Sequence, residues 1–309
     1  MRVGVVDIGS DSTRLLVADV TGANSLRPLV RRSTPTQLSA GLYASGRLTP
    51  AAQARVMHAL VGYSEEMERQ SCHLRGAALT SAVRDAQNGP EFTAQVRERF
   101  RIDARVIDGY TEAQLAFRGA TLGRSFDGRV LVVDVGGGST EVVVGEGGRA
   151  LYPGTTRAGA VRKSARFLHG DPPCENEVAT LRENVRRAIA IALPASMRDG
   201  VVHGLVSAES WTWRPALAAL GERGVVAARS GIVDRALVEL AVERLLTVRK
   251  QQLRRAPGIH PARASTLLAG TALVLEVIDA FRLDAIEIAE TDLLEGLALH
   301  IASERTLVA

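Results

Sequence analysis

The sequence predicts an α/β protein of two domains, and three observations predict it. The phrase VGVVDIGSDSTRLLV at residues 3–17 returns as VLVVDVGGGSTEVVV at 130–144, sharing Val-Val-Asp, a Gly two residues beyond that Asp, and a closing Ser-Thr. After each copy, short β-branched runs interleave with stretches of helical periodicity, the pattern of α/β rather than segregated architecture. The chain has 309 residues, and single cores stop growing near roughly 250–300. Each copy therefore opens a domain, 1–123 and 124–309, with the junction where Gly, Ser and Asp gather at 122–128.

In order along the chain, residues 2–7 and 14–20 read as β-branched strands joined by a polar tip at 9–13, with a further apolar run near 26–30. Thr49-Pro50 is an N-cap followed by a first-turn proline, and Val56, Leu60, Tyr63 and Met67 carry one apolar face to about residue 70. A strand at 75–80, a helix at 91–100, a strand at 104–107 and a helix at 112–119 complete the first half. The second half restarts at Arg129 with strand, glycine turn and strand, and passes a Gly-Thr-Thr-Arg turn at 154–157. Helices follow at 177–192, 235–255 and 264–281, then a strand at 285–289 and a last helix from Asp292.

Composition removes several classes. With 46% hydrophobic, 23% charged and 4% aromatic residues the chain is globular. No stretch reaches the 18 or more apolar residues of a spanning helix, so a cytoplasmic protein with no membrane partner is expected. Cys72 and Cys174 lie far apart without zinc-ligand spacing and read as buried, reduced thiols; the six histidines form no ligand pair. The net charge of +4 is spread over both halves without an aromatic-interleaved basic cluster, which argues against nucleic acid, though mild basicity suits a polyanionic ligand.

The repeated phrase carries the chemistry. It is neither a P-loop nor a dinucleotide fingerprint, because the residues after each glycine turn are strand-forming and neither spelling is met. What remains is a hairpin whose tip presents several backbone N–H groups, with glycines allowing close approach, as an anion site. Ser10, Ser12, Thr13, Ser139 and Thr140 add hydroxyls around Gly136, Gly137 and Gly138. Asp7 and Asp134 would repel that anion unless a divalent cation stood between them. The alternative is an ordinary tight hairpin, which one copy alone would not exclude.

The paired Asp-x-Gly-x-x-Ser/Thr hairpins resemble the phosphate loops of the actin, sugar-kinase and heat-shock-chaperone ATPase superfamily. Within it the chain is similar to the exopolyphosphatase and guanosine pentaphosphate phosphohydrolase family. VVDIGSDSTRLLV, TSAVRDA (80–86), IDGYTEAQL (107–115), VVDVGGGSTEVVV, GDPP (170–173) and LLEGLAL (293–299) fall in family order. The resemblance implies two actin-like (ribonuclease H-like) domains with a central interdomain cleft, in a short form without the C-terminal helical domain. It implies Mg²⁺- or Mn²⁺-dependent hydrolysis of the terminal phosphoanhydride of inorganic polyphosphate. By the same resemblance Glu112 is the general base, Arg84 and Arg162 contact phosphate, and Asp134 and Glu141, with Asp7, stand on the metal side. A homodimer is the assembly expected, with the oligomeric state left open by the sequence.

This chain departs from the family pattern at several places. Asp11 stands where the family has Asn, so the first turn carries a carboxylate that either recruits a cation or weakens binding. Thr111 replaces the acidic neighbour of Glu112, Gln114 replaces an Arg, and Gln37, Ala40 and Leu294 replace charged residues. LVSAESWTW at 205–213 stands in place of a glycine loop, which disfavours guanosine pentaphosphate. A guanosine pentaphosphate or nucleotide phosphohydrolase, or a weakly active binding or regulatory protein, is the alternative.

Overall fold

The computed structural model describes residues 1–207, 217 and 220–306. Two compact units divide the chain: Met1–Arg124 with Thr291–Ala309, and Ser125–Glu290.

In the first unit, strands β1 (Arg2–Ile8), β2 (Ser12–Gly22), β3 (Ser25–Pro35), β4 (Leu74–Leu79) and β5 (Asp103–Val106) form one sheet in the order β3-β2-β1-β4-β5. β1, β2 and β3 run antiparallel, whereas β4 and β5 continue the sheet parallel to β1. The helices are α1 (Leu42–Ser45), α2 (Pro50–Arg69), α3 (Ser81–Asp85), α4 (Gly89–Phe100) and α5 (Gly109–Ala120). Thr49 caps α2 as its sequence predicts, its side chain accepting from the Ala52 amide.

Alternation along β1 sends Val6 and Ile8 into a core with Val56, Leu60 and Phe92, and Val3 and Val5 into a second core on the opposite face. Full burial of each such side chain contributes about 1.5–3 kcal/mol. The second core is closed by Leu115 and Ala116 of α5 and by Leu293, Leu294, Leu297 and Ala298 of the chain's last helix. That helix therefore belongs to the first unit, which corrects the assignment of 124–309 to one domain. Its apolar face has the Val3/Val5 side of β1 to cover, and Gly119 and Gly296 let it lie against α5: a Cβ at Gly119 would stand 1.7 Å from the Asp292 carbonyl oxygen.

The second unit repeats the plan. β6 (Arg129–Val135), β7 (Thr140–Glu146), β8 (Arg149–Thr156), β9 (Val201–Ser207), β10 (Ile232–Asp234) and β11 (Ala285–Ala289) form a sheet in the order β10-β11-β9-β6-β7-β8. β6, β7 and β8 run antiparallel, with β9 and β11 extending parallel from β6. Its helices are α6 (Ala160–Phe167), α7 (Glu175–Ala192), α8 (Ala195–Arg198), α9 (Glu222–Ser230), α10 (Arg235–Thr247), α11 (Lys250–Leu253) and α12 (Leu267–Phe281); α13 (Leu293–Thr306) is the helix returned to the first unit.

Several local expectations shift. The Gly-Thr-Thr expected as a turn is the end of β8; Gly154 faces Val142 there because a Cβ would meet the Val142 and Ala192 carbonyl oxygens at 2.9 and 3.0 Å. The long helix expected at 235–255 breaks at Val248, which is extended, and the Lys250 amide restarts the chain on the Asp171 carboxylate at 2.7 Å. Cys72 is buried and its thiol pushed up by that burial, but Cys174 is exposed, capping α7. Of the 205–213 segment, 205–207 end β9 and the rest lies outside the described residues. No helix among the described residues is long and apolar enough to cross a membrane.

Candidate active site

The two copies of the phrase fold alike. In β1–β2, Asp7 pairs with Arg14 and Ile8 with Thr13; in β6–β7, Asp134 pairs with Glu141 and Val135 with Thr140. Each four-residue turn is closed by the same bond, Gly9 N–H to the Ser12 carbonyl and Gly136 N–H to the Ser139 carbonyl, both 3.0 Å.

Each turn is also backed on its carbonyl side. Behind the second, the amides of Gly159, Ala160, Val161 and Arg162 donate to the carbonyls of Gly138, Gly136, Gly137 and Gly137. The N-terminus of α6 is thus covered by turn carbonyls rather than left open to an anion. Behind the first, the amides of Thr36 and Gln37 take the Asp11 carbonyl and that of Ser39 takes Ser10's. With carbonyls drawn backwards, the turn's own amides face the other way: those of Gly137, Gly138 and Ser139 have no acceptor among the described residues. Three consecutive N–H donors make the anion concavity expected of the glycine turn. Gly159 makes the backing possible, since its Cβ would meet the Gly137 and Gly138 backbone at 2.4 Å. Gly159→Ala is expected to cost about 1–3 kcal/mol of stability; a melting curve unchanged from wild type would contradict this packing.

Several residues expected to touch phosphate serve the backing. Thr140, 1% exposed, donates its hydroxyl to the Ala158 carbonyl at 2.7 Å; Thr13, fully buried, shares a bond with the Thr36 hydroxyl. Arg162 donates Nε to the Gly138 carbonyl at 2.9 Å, so it braces the turn. The Ser10 hydroxyl meets that of Ser81 at 2.9 Å, joining the first turn to the TSAVRDA segment. Ser12, Ser139 and Asp11 are buried at their turns.

Parallel pairing gathers the rest of the first unit's candidates. β1, β4 and β5 end at adjacent register, Ile8 beside Leu79 and Leu79 beside Val106, so the segments leaving these three strands emerge on one sheet edge. The carboxyl edge of parallel strands is where α/β folds bind ligands. There β1 leads into the first turn, β4 into α3 with Arg84, and β5 into Asp108, which caps α5 by accepting the Thr111 amide at 2.7 Å. That cap holds the Asp108 carboxyl below its usual range and sets Glu112 in the first turn of α5. Glu112 is only 6% exposed, not a solvated helix start, and its Oε2 accepts from Arg84 Nη1 at 3.0 Å. The same Nη1 donates to the Ile107 carbonyl at 2.7 Å, tying the guanidinium to the end of β5.

The carboxylates of the two hairpins differ. Asp7 Oδ2 takes two bonds from Arg14, Nε at 2.9 Å and Nη2 at 2.8 Å. Arg14 Nη1 reaches Asp292 Oδ2 at 2.8 Å, and Arg31 joins that carboxylate to Glu295. In the second hairpin Glu141 occupies the place of Arg14, so two carboxylates face each other across β6 and β7. Thr155, next in register on β8, donates its hydroxyl to Glu141 Oε1 at 3.0 Å. No cluster of three or more His, Cys, Asp or Glu ligands forms among the described residues. Sequence reasoning passed over Ser81, Thr155 and Asp292; the exchange of Arg14 for Glu141 at matching positions of the repeat was readable from the start.

A family model described as the Ppx/GppA phosphatase family matches residues 5–305. The chain is 34% identical to exopolyphosphatase 2 of Mycobacterium tuberculosis, covering 97% of this chain and 98% of that protein. It is 27% identical to exopolyphosphatase 1 of Mycobacterium bovis, over 97% and 88%. Among solved structures, an exopolyphosphatase from Cytophaga hutchinsonii superposes with a TM-score of 0.88 at 22% identity, covering 98% of each chain. The Aquifex aeolicus Ppx/GppA family member gives 0.78 at 24%, covering 99% and 98%. These likenesses show the fold, two actin-like α/β domains.

Proposed function

Because the chain belongs to the Ppx/GppA phosphatase family, we propose that it hydrolyses the terminal phosphoanhydride of inorganic polyphosphate and releases orthophosphate. The observation that carries this reading is Glu112, buried and paired with Arg84 at the carboxyl edge of the first unit's sheet. A carboxylate so held is a general base in a fixed direction, ready to take the proton of an attacking water. Within the first unit Arg84 supplies positive charge for the phosphoryl oxygens; the second unit, taken by itself, offers the amides of Gly137, Gly138 and Ser139 as neutral donors for an anion. Phosphoryl transfer depends almost entirely on such positioning and charge stabilisation.

The donor chemistry of the second hairpin fits a hard divalent cation. Asp134 and Glu141 present carboxylate oxygens on one face, and Mg²⁺ is commonly held by one or two carboxylates plus substrate phosphates. Mg²⁺ or Mn²⁺ bound there would supply neutralisation of phosphate charge. Asp7 fits that role poorly, because two Arg14 donors hold one of its oxygens.

The test is orthophosphate release from polyphosphate by the purified protein with Mg²⁺, with guanosine pentaphosphate and ATP as parallel substrates. Release from polyphosphate is expected, abolished by EDTA and restored by Mg²⁺, with Asp134→Asn needing at least about tenfold more Mg²⁺ for half-maximal rate. Release from nucleotides alone would replace the proposed substrate, and EDTA-insensitive release would remove the cation.

A further inference from the structure

We propose that Arg55 is a positioning residue for polyphosphate: from α2 it clamps the 36–39 segment behind the first turn, and so fixes how that turn and the Arg84 segment joined to it meet phosphate. This deepens the function proposed above and rests on it.

Arg55 is placed by its neighbours. α2 is a 20-residue helix whose Val56 and Leu60 are fully buried in the core on the Val6 and Ile8 side of β1, so the backbone that carries Arg55 is fixed. From there the guanidinium spans two elements. Nε donates to the Thr36 carbonyl at 2.7 Å and Nη2 to the Gln37 carbonyl at 2.9 Å, while Nη1 returns to the Ala51 carbonyl of its own helix at 3.2 Å. The Nε and Nη2 donors lie along one edge of a rigid planar fork, which lets it take two successive carbonyls at once. Other arginines of this unit, Arg2, Arg14, Arg31 and Arg32, sit on carboxylates. Arg55 meets no carboxylate among the described residues and puts its donors on backbone instead.

The segment it grips is the one that backs the turn. The Thr36 and Gln37 amides reach the Asp11 carbonyl at 2.8 and 2.6 Å, and the Ser39 amide reaches the Ser10 carbonyl at 2.9 Å. In a planar trans peptide the carbonyl and the following amide point opposite ways, so these bonds set the direction of the Asp11 and Ser12 amides. Gln37 makes its bond at φ 47°, a left-handed conformation that is costly for a residue with a side chain and persists only where its surroundings hold it. Arg55 on its carbonyl and Asp11 on its amide hold it there. The first turn passes the constraint on: the Ser10 hydroxyl meets that of Ser81 at 2.9 Å, and Ser81 opens α3, which carries Arg84.

The experiment is steady-state kinetics on polyphosphate with Arg55→Ala and Arg55→Lys, each with methylguanidinium or with sodium chloride at the same ionic strength. KM should rise about tenfold in Arg55→Ala, the low end of what losing an orienting outer contact costs. kcat should stay near wild type, and methylguanidinium, but not sodium chloride, should reverse part of the rise. Arg55→Lys should fall between, because a point charge cannot hold two carbonyls in one plane. A merely structural arginine would instead leave fewer folded molecules, with kcat lowered at unchanged KM. That result overturns the proposal, as does a wild-type KM in Arg55→Ala. Should wild type release no phosphate, hydrogen exchange over 9–13 and 36–39 separates the two readings. Faster exchange in both stretches of Arg55→Ala, with the rest of the unit unchanged, keeps the clamp while the hydrolytic reading falls, and unchanged exchange removes both.

Discussion

Glu112→Gln is expected to lower kcat for phosphate release from polyphosphate by about 10³-fold, within the range that a positioned general base contributes, while KM changes little. Gln keeps the shape of the side chain and an oxygen for Arg84 Nη1, so the link between α5 and α3 survives. What it removes is the ability to accept a proton from water. The prediction is sharp because Glu112 is buried and held by a guanidinium that is itself tied to the Ile107 carbonyl; no other carboxylate can be assumed to swing into its place. Steady-state kinetics against substrate concentration, with circular dichroism to establish folding, decide it. A Gln variant within a few-fold of wild type would assign the proton transfer elsewhere and reduce the Arg84 pair to architecture.

Asp292→Ala should produce the largest loss of stability, about 3–5 kcal/mol near neutral pH, the cost of breaking one partner out of a buried ion network. Its Oδ2 accepts from Arg14 Nη1 at 2.8 Å and Arg31 Nη1 at 3.2 Å, and its Oδ1 accepts the Leu294 amide at 2.9 Å. Removing it leaves two guanidiniums short of an acceptor and unlatches α13 from β2 and β3.

The pH dependence follows from the direction of the shift. Burial acts to raise the Asp292 carboxyl, but Arg14 and Arg31 outweigh it and hold the group below its usual range. A carboxyl depressed on folding contributes stability above its unfolded value, near 3.9, and loses it as pH falls through the folded value. The gap between wild type and Asp292→Ala in urea unfolding should therefore be full near neutral pH and narrow below about pH 4. Glu295 has the opposite sign: burial first, then the Asp292 charge, raise it. Its contribution is lost as pH rises through that raised value. Glu295→Gln is accordingly expected to be milder near neutrality, and a loss equal to that of Asp292→Ala would contradict the network's division of charge.

Much of this is legible without coordinates. The β1–β2 and β6–β7 hairpins, the Thr49 cap and the glycine turn arise from residues within a few positions of one another, where backbone dihedral preference and alternation decide the outcome. The errors have one kind of cause. Gly154 reads as a turn glycine because sequence shows its freedom but not the Val142 and Ala192 carbonyls pressing on it. Thr13 and Thr140 read as phosphate donors because a hydroxyl beside a glycine turn looks available; their partners, Thr36 and Ala158, lie 23 and 18 residues away. Glu112 by itself is a helix-start carboxylate until Arg84, 28 residues earlier, is placed against it.

By itself, then, the sequence determined that the chain holds two copies of one strand-turn-strand device, each followed by α/β structure, and where each tip would bend. Those are properties of short stretches with strong local preferences. Only the tertiary structure decided what each hairpin's carboxylate is packed against. Arg14 finds Asp292 across 278 residues and turns the Asp7 hairpin into an ion network, whereas Asp134 faces Glu141 on an otherwise matching pair of strands. The last helix, too, was placed by the apolar face of β1 it had to cover rather than by the neighbours that precede it in the chain. The charge state and role of a side chain depend on what the fold packs against it, and that information lies between distant segments.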